Sequence, residues 1–75
     1  MNDQLKQTIA SELNVDPAEL TSDTRLQDLE FWDSVMVLSM MVIIGESVGK
    51  EILPEEMIGL RTFGDIEALV ASKQS

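Results

Sequence analysis

The sequence contains no cysteine and no histidine. The lack of cysteine excludes disulfides and thiolate chemistry, and the lack of histidine removes the usual proton shuttle and the commonest metal ligand. The four glycines are dispersed, so there is no glycine-rich loop that could cradle a phosphate. The acids also miss the spacing of a calcium loop, since Asp23, Asp28 and Asp33 lie five residues apart. We therefore expect neither a metal site nor a catalytic centre in this chain.

Basic residues are scarce, because 5 lysines and arginines stand against 14 aspartates and glutamates and leave a net charge of −9. This balance argues against nucleic acid and anionic membranes as partners and favours a cationic protein surface. The longest apolar run, residues 35–44, is interrupted by Ser39 and falls far short of the roughly 20 residues that cross a bilayer. The N-terminus has no signal-peptide pattern. We expect a soluble, cytoplasmic monomer.

The length of 75 residues and the hydrophobic fraction of 44% predict one domain with a single core over residues 1–75. Leu5, Ile9 and Leu13 recur at helical spacing and predict a first helix over residues 3–13. A short turn is expected at Pro17. The fold class is thus all-α: a small four-helix bundle, with three main helices, one short third helix and a long loop between helices one and two.

The first connection, residues 21–33, fits no helical or strand period. We interpret it as a long loop held by four apolar anchors, namely Leu26, Leu29, Phe31 and Trp32. Trp32 is expected to anchor the loop in the core rather than to stand out as a recognition residue. A loop of this length in a small domain often serves a function.

The second helix is predicted over residues 34–48, with Asp33 as its cap and Gly49 as its stop. At 100° per residue, its core stripe comprises Val37, Met41, Ile44 and Val48, flanked by Leu38 and Met40. The opposite side comprises Val35, Met36, Ser39, Val42, Ile43 and Glu46. This side should be polar on a simple surface helix, and it is mostly apolar.

Two further helices complete the bundle. A single turn is predicted over residues 55–59, after an extended segment at residues 52–54. Thr62 and Asp65 match a capping box that opens the last helix, which ends near Ser72 and leaves a frayed tail. Its inward stripe comprises Phe63, Ile66, Leu69 and Val70.

Ser34 is the serine whose position stands out. It enters the most apolar helix directly after an acid, where free backbone amides and the positive end of the helix dipole favour an anion. The plain alternative is a serine that only starts a helix. A serine nucleophile would need a nearby base, and without histidine a hydrolase acting through Ser34 is remote.

Residues 26–38, LQDLEFWDSVMVL, resemble the Asp-Ser-Leu attachment motif of acyl and peptidyl carrier proteins. The likeness extends over nearly the whole chain, since the acidic charge, the long loop, the Glu51-Ile52 pair and the order of helices are also similar. It implies that Ser34 carries a 4′-phosphopantetheine arm, donated by coenzyme A through a phosphopantetheinyl transferase. It also implies that Asp33 presents the serine to that enzyme and that the arm holds cargo as a thioester.

The sequence departs from the family pattern at two places. Val35 stands where the leucine of the motif is expected, and Phe31-Trp32 replaces a glycine that often precedes it. The side of helix two that usually exposes acids is also apolar. We therefore expect loading, condensing or tailoring enzymes to dock on this chain through basic or apolar patches of their own. The docking residues on this chain are expected to be Val35, Met36, Ser39, Val42, Ile43, Glu46, Glu51, Glu55 and Glu56.

The resemblance leaves several alternatives open. The cargo could belong to polyketide, fatty-acid-like or non-ribosomal peptide biosynthesis, and the weakly charged second helix favours a specialised pathway. The initial Met and the single-domain length favour a free-standing carrier. A different class of function is an unmodified helical adaptor that docks partners through the apolar side of helix two.

Overall fold

The computed structural model describes residues 2–30 and 32–74. Four α-helices follow in the order α1 Asp3–Leu13, α2 Ser34–Val48, α3 Pro54–Ile58 and α4 Phe63–Gln74. Two 3₁₀ turns, Pro17–Glu19 and Leu26–Asp28, lie in the connection between α1 and α2. The described residues form no strand, and they pack within 27 × 24 × 18 Å. The predicted all-α bundle is confirmed.

Local capping explains why α1 and α2 begin and end where the sequence predicts. The side chain of Asn2 accepts a first-turn amide of α1 at 2.7 Å, and Asn14 ends that helix in the left-handed conformation with φ of 58°. Asp33 caps α2, and Gly49 ends it with φ of 70°, where a residue without Cβ is unstrained. Capping residues adjacent in the sequence therefore set both ends of each of these two helices.

The long connection is more ordered than the sequence predicts. The amide of Leu26 donates to the carbonyl of Arg61 at 2.9 Å, and the amide of Phe63 donates to the carbonyl of Thr24 at 2.8 Å. The 3₁₀ turn at Leu26–Asp28 follows this tie. The predicted long loop between α1 and α2 is confirmed, and its order comes from hydrogen bonds to residues far along the chain.

The anchors of this connection differ in depth. Leu26 is fully buried, whereas Leu29 and Trp32 pack against the core and stay partly exposed. Phe31, the other predicted anchor, lies outside the described residues. The connection is thus pinned at its middle and again just before α2, which fixes where α2 can start.

The core is a single cluster to which every helix contributes. Its buried apolar members are Leu5, Ile9, Ala10, Leu13, Leu20, Leu26, Met40, Ile44, Ile52, Met57, Phe63, Ile66 and Val70. Among the described residues, no polar or charged side chain is fully buried. Folding thus depends on apolar burial, the largest favourable term for a domain of this kind.

The last two helices differ from expectation at their ends. α3 starts at Pro54, one residue early, because proline fits the first turn of a helix. α4 continues to Gln74, so the tail predicted to fray is helical as far as it is described, while Ser75 lies outside the described residues. The capping box is confirmed, since Thr62 and Asp65 exchange amide-to-side-chain hydrogen bonds of 3.1 and 3.2 Å.

Over the described ranges, every helix is too short or too polar to cross a membrane.

Candidate functional site

Ser34 is the first residue of α2, and its side chain is exposed. Asp33 adopts an extended backbone conformation, and its Oδ1 accepts the Met36 amide at 2.9 Å. The carbonyl of Asp33 accepts the Val37 amide at 2.9 Å, which closes the first turn of α2. Asp33 therefore fixes the start of the helix, and the Ser34 hydroxyl projects from a defined position that a macromolecule can reach.

An apolar cleft of about 590 Å³ opens beside Ser34, between α2, α3 and the turn Leu26–Asp28. Its lining residues are Gln27, Trp32, Ser34, Val37, Leu38, Met41, Pro54, Met57, Ile58 and Leu60. Trp32 thus combines two roles, since it packs against the core and also forms part of the cleft wall. A group attached to Ser34 would have an apolar surface within its immediate reach.

The exposed face of α2 is an apolar stripe that we call the α2 stripe, made of Val35, Leu38 and Val42. These side chains are 70%, 61% and 59% exposed, and their spacing of three and four residues puts them on one line along the helix. Glu46 continues the line and is exposed. Ile58 of α3 is 82% exposed and lies across the cleft from Leu38. This end of the molecule presents bare hydrophobic surface next to Ser34.

The exposed face of α2 comprises different side chains from those that the sequence predicts. Leu38, expected beside the core, is exposed, whereas Met36 and Ile43, expected on the open side, pack against the core and are half-buried. The reason is the position of α1. Its start shares a groove with Ile43 and its end shares one with Met36 and Ser39, so α1 runs antiparallel to α2 and covers that flank.

The acids that were expected to meet partners are in different situations. Glu46, Glu51 and Glu55 are exposed. Glu56 is half-buried and engaged, because its carboxylate pairs with Lys73 at 2.8 Å and accepts the Leu53 amide at 3.0 Å. The hydrogen bond from Lys73, with the one from the Leu53 amide, lowers the pKa of Glu56 below its usual value. Glu56 is therefore not a free surface acid.

Sequence reasoning missed Leu38, Ile58 and Leu60 as neighbours of Ser34. A signal for Leu38 was present, since it lies in line with Val35 and Val42 at helical spacing. No comparable signal exists for Ile58, because the five residues of α3 do not show which side faces α2. Its place depends on how α3 docks.

The site's chemistry fits a covalently attached arm with an anionic root. Ser34 offers a reachable hydroxyl at the start of a helix, where the dipole favours a phosphodiester, and the adjoining cleft is apolar. The described residues contain no group of three or more acids, cysteines or histidines that could hold a metal ion.

Comparison with known proteins points in the same direction. Residues 3–70 match the family model described as the phosphopantetheine attachment site. The chain is 37% identical over 65 residues to acyl carrier protein MbtL of Mycolicibacterium paratuberculosis, covering 87% of this chain and 73% of that protein. The MbtL protein of Mycobacterium tuberculosis strain H37Rv is also 37% identical over 65 residues, covering 87% and 77%. A third relative, non-reducing polyketide synthase rads2 of Floropilus chiversii, is 35% identical over 69 residues, covering 92% of this chain and 3% of the synthase.

Proposed function

Because this chain belongs to the acyl carrier protein family with a phosphopantetheine attachment domain, we propose that Ser34 bears its 4′-phosphopantetheine arm. Members of the family are carriers rather than catalysts, and the arm is bound covalently. The observation that carries the assignment to Ser34 is that this serine is exposed and is the first residue of α2, whose start is set by the Asp33 cap.

The attachment step requires little of this chain beyond presentation. The Ser34 oxygen forms a bond to the pantetheine-side phosphorus of coenzyme A, the bond to adenosine 3′,5′-bisphosphate breaks, and the hydroxyl proton passes to a base of the transferase. Asp33 positions the serine by capping α2, so the hydroxyl is presented at a fixed helix start. When bound, the arm supplies a thiol that holds cargo as a thioester.

Partner enzymes dock on the α2 stripe. Its apolar side chains lie directly after Ser34, and the surrounding acids add attraction for a basic surface. No lysine or arginine occurs between Arg25 and Lys50, whereas Asp28, Glu30 and Asp33 are exposed just before the helix. A partner with an apolar patch flanked by basic residues therefore fits this end of the molecule.

The cargo is an acyl intermediate of a specialised biosynthetic pathway of the polyketide type. Two observations support this choice. The match to a polyketide synthase covers most of this chain, and α2 has a single charged residue, Glu46, where a general carrier would be expected to present several acids. The chain works as one carrier domain over residues 1–75, in the cytoplasm with its partner enzymes.

The attachment is tested by mass. The purified chain is incubated with coenzyme A and a promiscuous phosphopantetheinyl transferase, and its intact mass should rise by one arm. Ser34→Ala should abolish the rise. Ser47→Ala is the matched control, since Ser47 is an exposed serine on the same helix, and this variant should be modified like the parent. Modification of Ser34→Ala would overturn the assignment.

The exposed α2 stripe also favours a second candidate, an adaptor that docks partners without any arm. This function predicts no mass change on folded protein and binding that is lost in Val35→Ser and Val42→Ser alike. A rise in mass that requires Ser34 decides for the carrier.

A further inference from the structure

α3 is the least secured helix of the bundle. It has five residues, far fewer than a helix needs to persist without support, and Met57 is its one buried residue. Its position must therefore come from contacts with the rest of the molecule, and these contacts are few enough to be examined one at a time.

A single ion pair joins α3 to α4. Nζ of Lys73 lies 2.8 Å from Oε2 of Glu56 and donates to its Oε1 at 2.9 Å, and the two side chains are 22% and 23% exposed. Among residues 2–30 and 32–74, no other ion pair is formed. The pair is partly shielded from solvent, and the Glu56 carboxylate is held by two donors, Lys73 and the Leu53 amide.

The same short helix walls the cleft beside Ser34. Pro54, Met57 and Ile58 line that cleft, whereas Glu56 reaches from the helix to α4. Two contacts hold this wall, namely Met57 in the core and the link from Glu56 to α4. A small displacement of α3 would change the width of the cleft without disturbing the contact between α1 and α2, which lies on the other flank of α2.

We propose that Glu56 and Lys73 form a latch that holds α3 against α4 and thereby sets the width of the cleft beside Ser34. Lys73 acts as a positioning residue, since it touches neither the cleft nor Ser34. Release of the latch opens the cleft, and closure narrows it. The latch is a property of the bare chain, and only its use, to shelter or release what the arm carries, rests on the proposed carrier function.

Two roles of Glu56 must be separated in any test. Its carboxylate caps the start of α3 through the Leu53 amide, and it also pairs with Lys73. Glu56→Gln keeps an oxygen for the cap and removes the charge that pairs with Lys73. Lys73→Met keeps most of the apolar stem of the side chain and breaks the latch from the other helix. Agreement between the two variants identifies the pair as the cause.

Hydrogen exchange of single amides measures the latch directly. The Glu56 amide donates to the Leu53 carbonyl at 2.9 Å, and the Leu60 amide donates to the Met57 carbonyl at 3.2 Å, so both report on α3 and its end. In Lys73→Met and in Glu56→Gln, these amides should exchange about two- to fivefold faster, the change expected from losing one partly exposed pair. Amides of α1 and α2 should keep their rates.

The cleft gives an independent signal. Trp32 is the only tryptophan and lines the cleft, so its fluorescence should shift in both variants, and the dye anilinonaphthalene sulfonate should bind more strongly. Lys50→Met and Glu12→Gln are matched controls, because each removes the same charge from an exposed residue outside the pair and outside α3. Both controls should behave like the parent chain.

Three outcomes overturn the latch. These are unchanged exchange at Glu56 and Leu60 in both variants, equal acceleration throughout the bundle, or the same effect in the controls. The double variant Glu56→Gln with Lys73→Met should exchange no faster than either single variant, because each change alone already breaks the pair. Transfer of the arm to Ser34, followed by mass in the same variants, fails or succeeds separately, so the latch and the carrier function are judged independently.

Discussion

α1 and α3 flank α2 on opposite sides, and the two contacts differ in kind. α1 has eleven residues, four of them buried, and covers the side of α2 that bears Met36 and Ile43. α3 has five residues, one of them buried, and leaves a cleft of about 590 Å³ between itself and α2. Ser34 starts the helix that these two sides share. One flank of the site is therefore a fixed scaffold, and the other can adjust to what is placed beside it.

The largest expected effect comes from truncating one buried side chain in α1 and one in α3. Ile9 is fully buried in α1 and Met57 is 4% exposed in α3. Ile9→Ala should reduce the free energy of unfolding by about 2–5 kcal/mol, because the packed contact cannot close over the cavity. Met57→Ala should cost about 1–2 kcal/mol, because α3 can shift to fill the space.

Equilibrium denaturation with urea measures both losses. Ile58→Ala serves as the control, because Ile58 lies in α3 and is 82% exposed, so little buried surface is lost. If Met57→Ala proves as costly as Ile9→Ala, α3 is packed as firmly as α1 and the contrast between the flanks fails.

The ends of α2 and α3 offer a finer test of the same contrast. Gly49 ends α2 with φ of 70°, whereas Gly59 ends α3 with φ of −81°. An added Cβ at either position meets nothing within 4 Å, so only the backbone conformation differs. Gly49→Ala should cost about 1–2 kcal/mol, from the left-handed strain of an L-residue. Gly59→Ala should be neutral or stabilise the chain by up to about 1 kcal/mol, by reducing the freedom of the unfolded state.

Thermal and urea unfolding of the two alanine variants, made side by side, provide the measurement. Equal losses would mean that the end of α3 is as constrained as that of α2. A loss of stability in Gly49→Ala alone would show that the backbone is constrained at the end of α2 and not at the end of α3.

The sequence predicted the helices with strong local signals and misjudged the parts that depend on packing. α1 and α2 were placed correctly because Asp33, Asn14 and Gly49 mark their ends within a few residues. The exposed face of α2 was misplaced, because apolar residues surround that helix and the sequence does not show which flank α1 covers. The Glu56–Lys73 pair could not be foreseen, since its partners lie 17 residues apart in two helices whose relative placement depends on the whole core.

The smallest expected effect concerns Glu56 of α3 and Asp65 of α4, two acids whose pKa values are both lowered. Glu56 owes its lowered pKa first to Lys73, whereas Asp65 owes its own to the amides of Arg61 and Thr62 at the start of α4. A lowered folded-state pKa means that each group stabilises the fold above its unfolded pKa. That stabilisation is lost as the pH falls through the folded value.

Salt should separate the two acids. A lysine partner is screened by ions, whereas backbone amides held at 2.9 and 3.1 Å keep their geometry. In about 1 M salt, the pKa of Glu56 should therefore move up toward its ordinary value, while that of Asp65 stays low. Carboxyl-carbon chemical shifts, followed by NMR from neutral to acid pH at low and high salt, report both groups in one sample, and Lys73→Met should raise the pKa of Glu56 without salt. Equal responses of the two acids would show that the Leu53 amide rather than Lys73 sets the pKa of Glu56, and the ion pair would then contribute little to holding α3 beside Ser34.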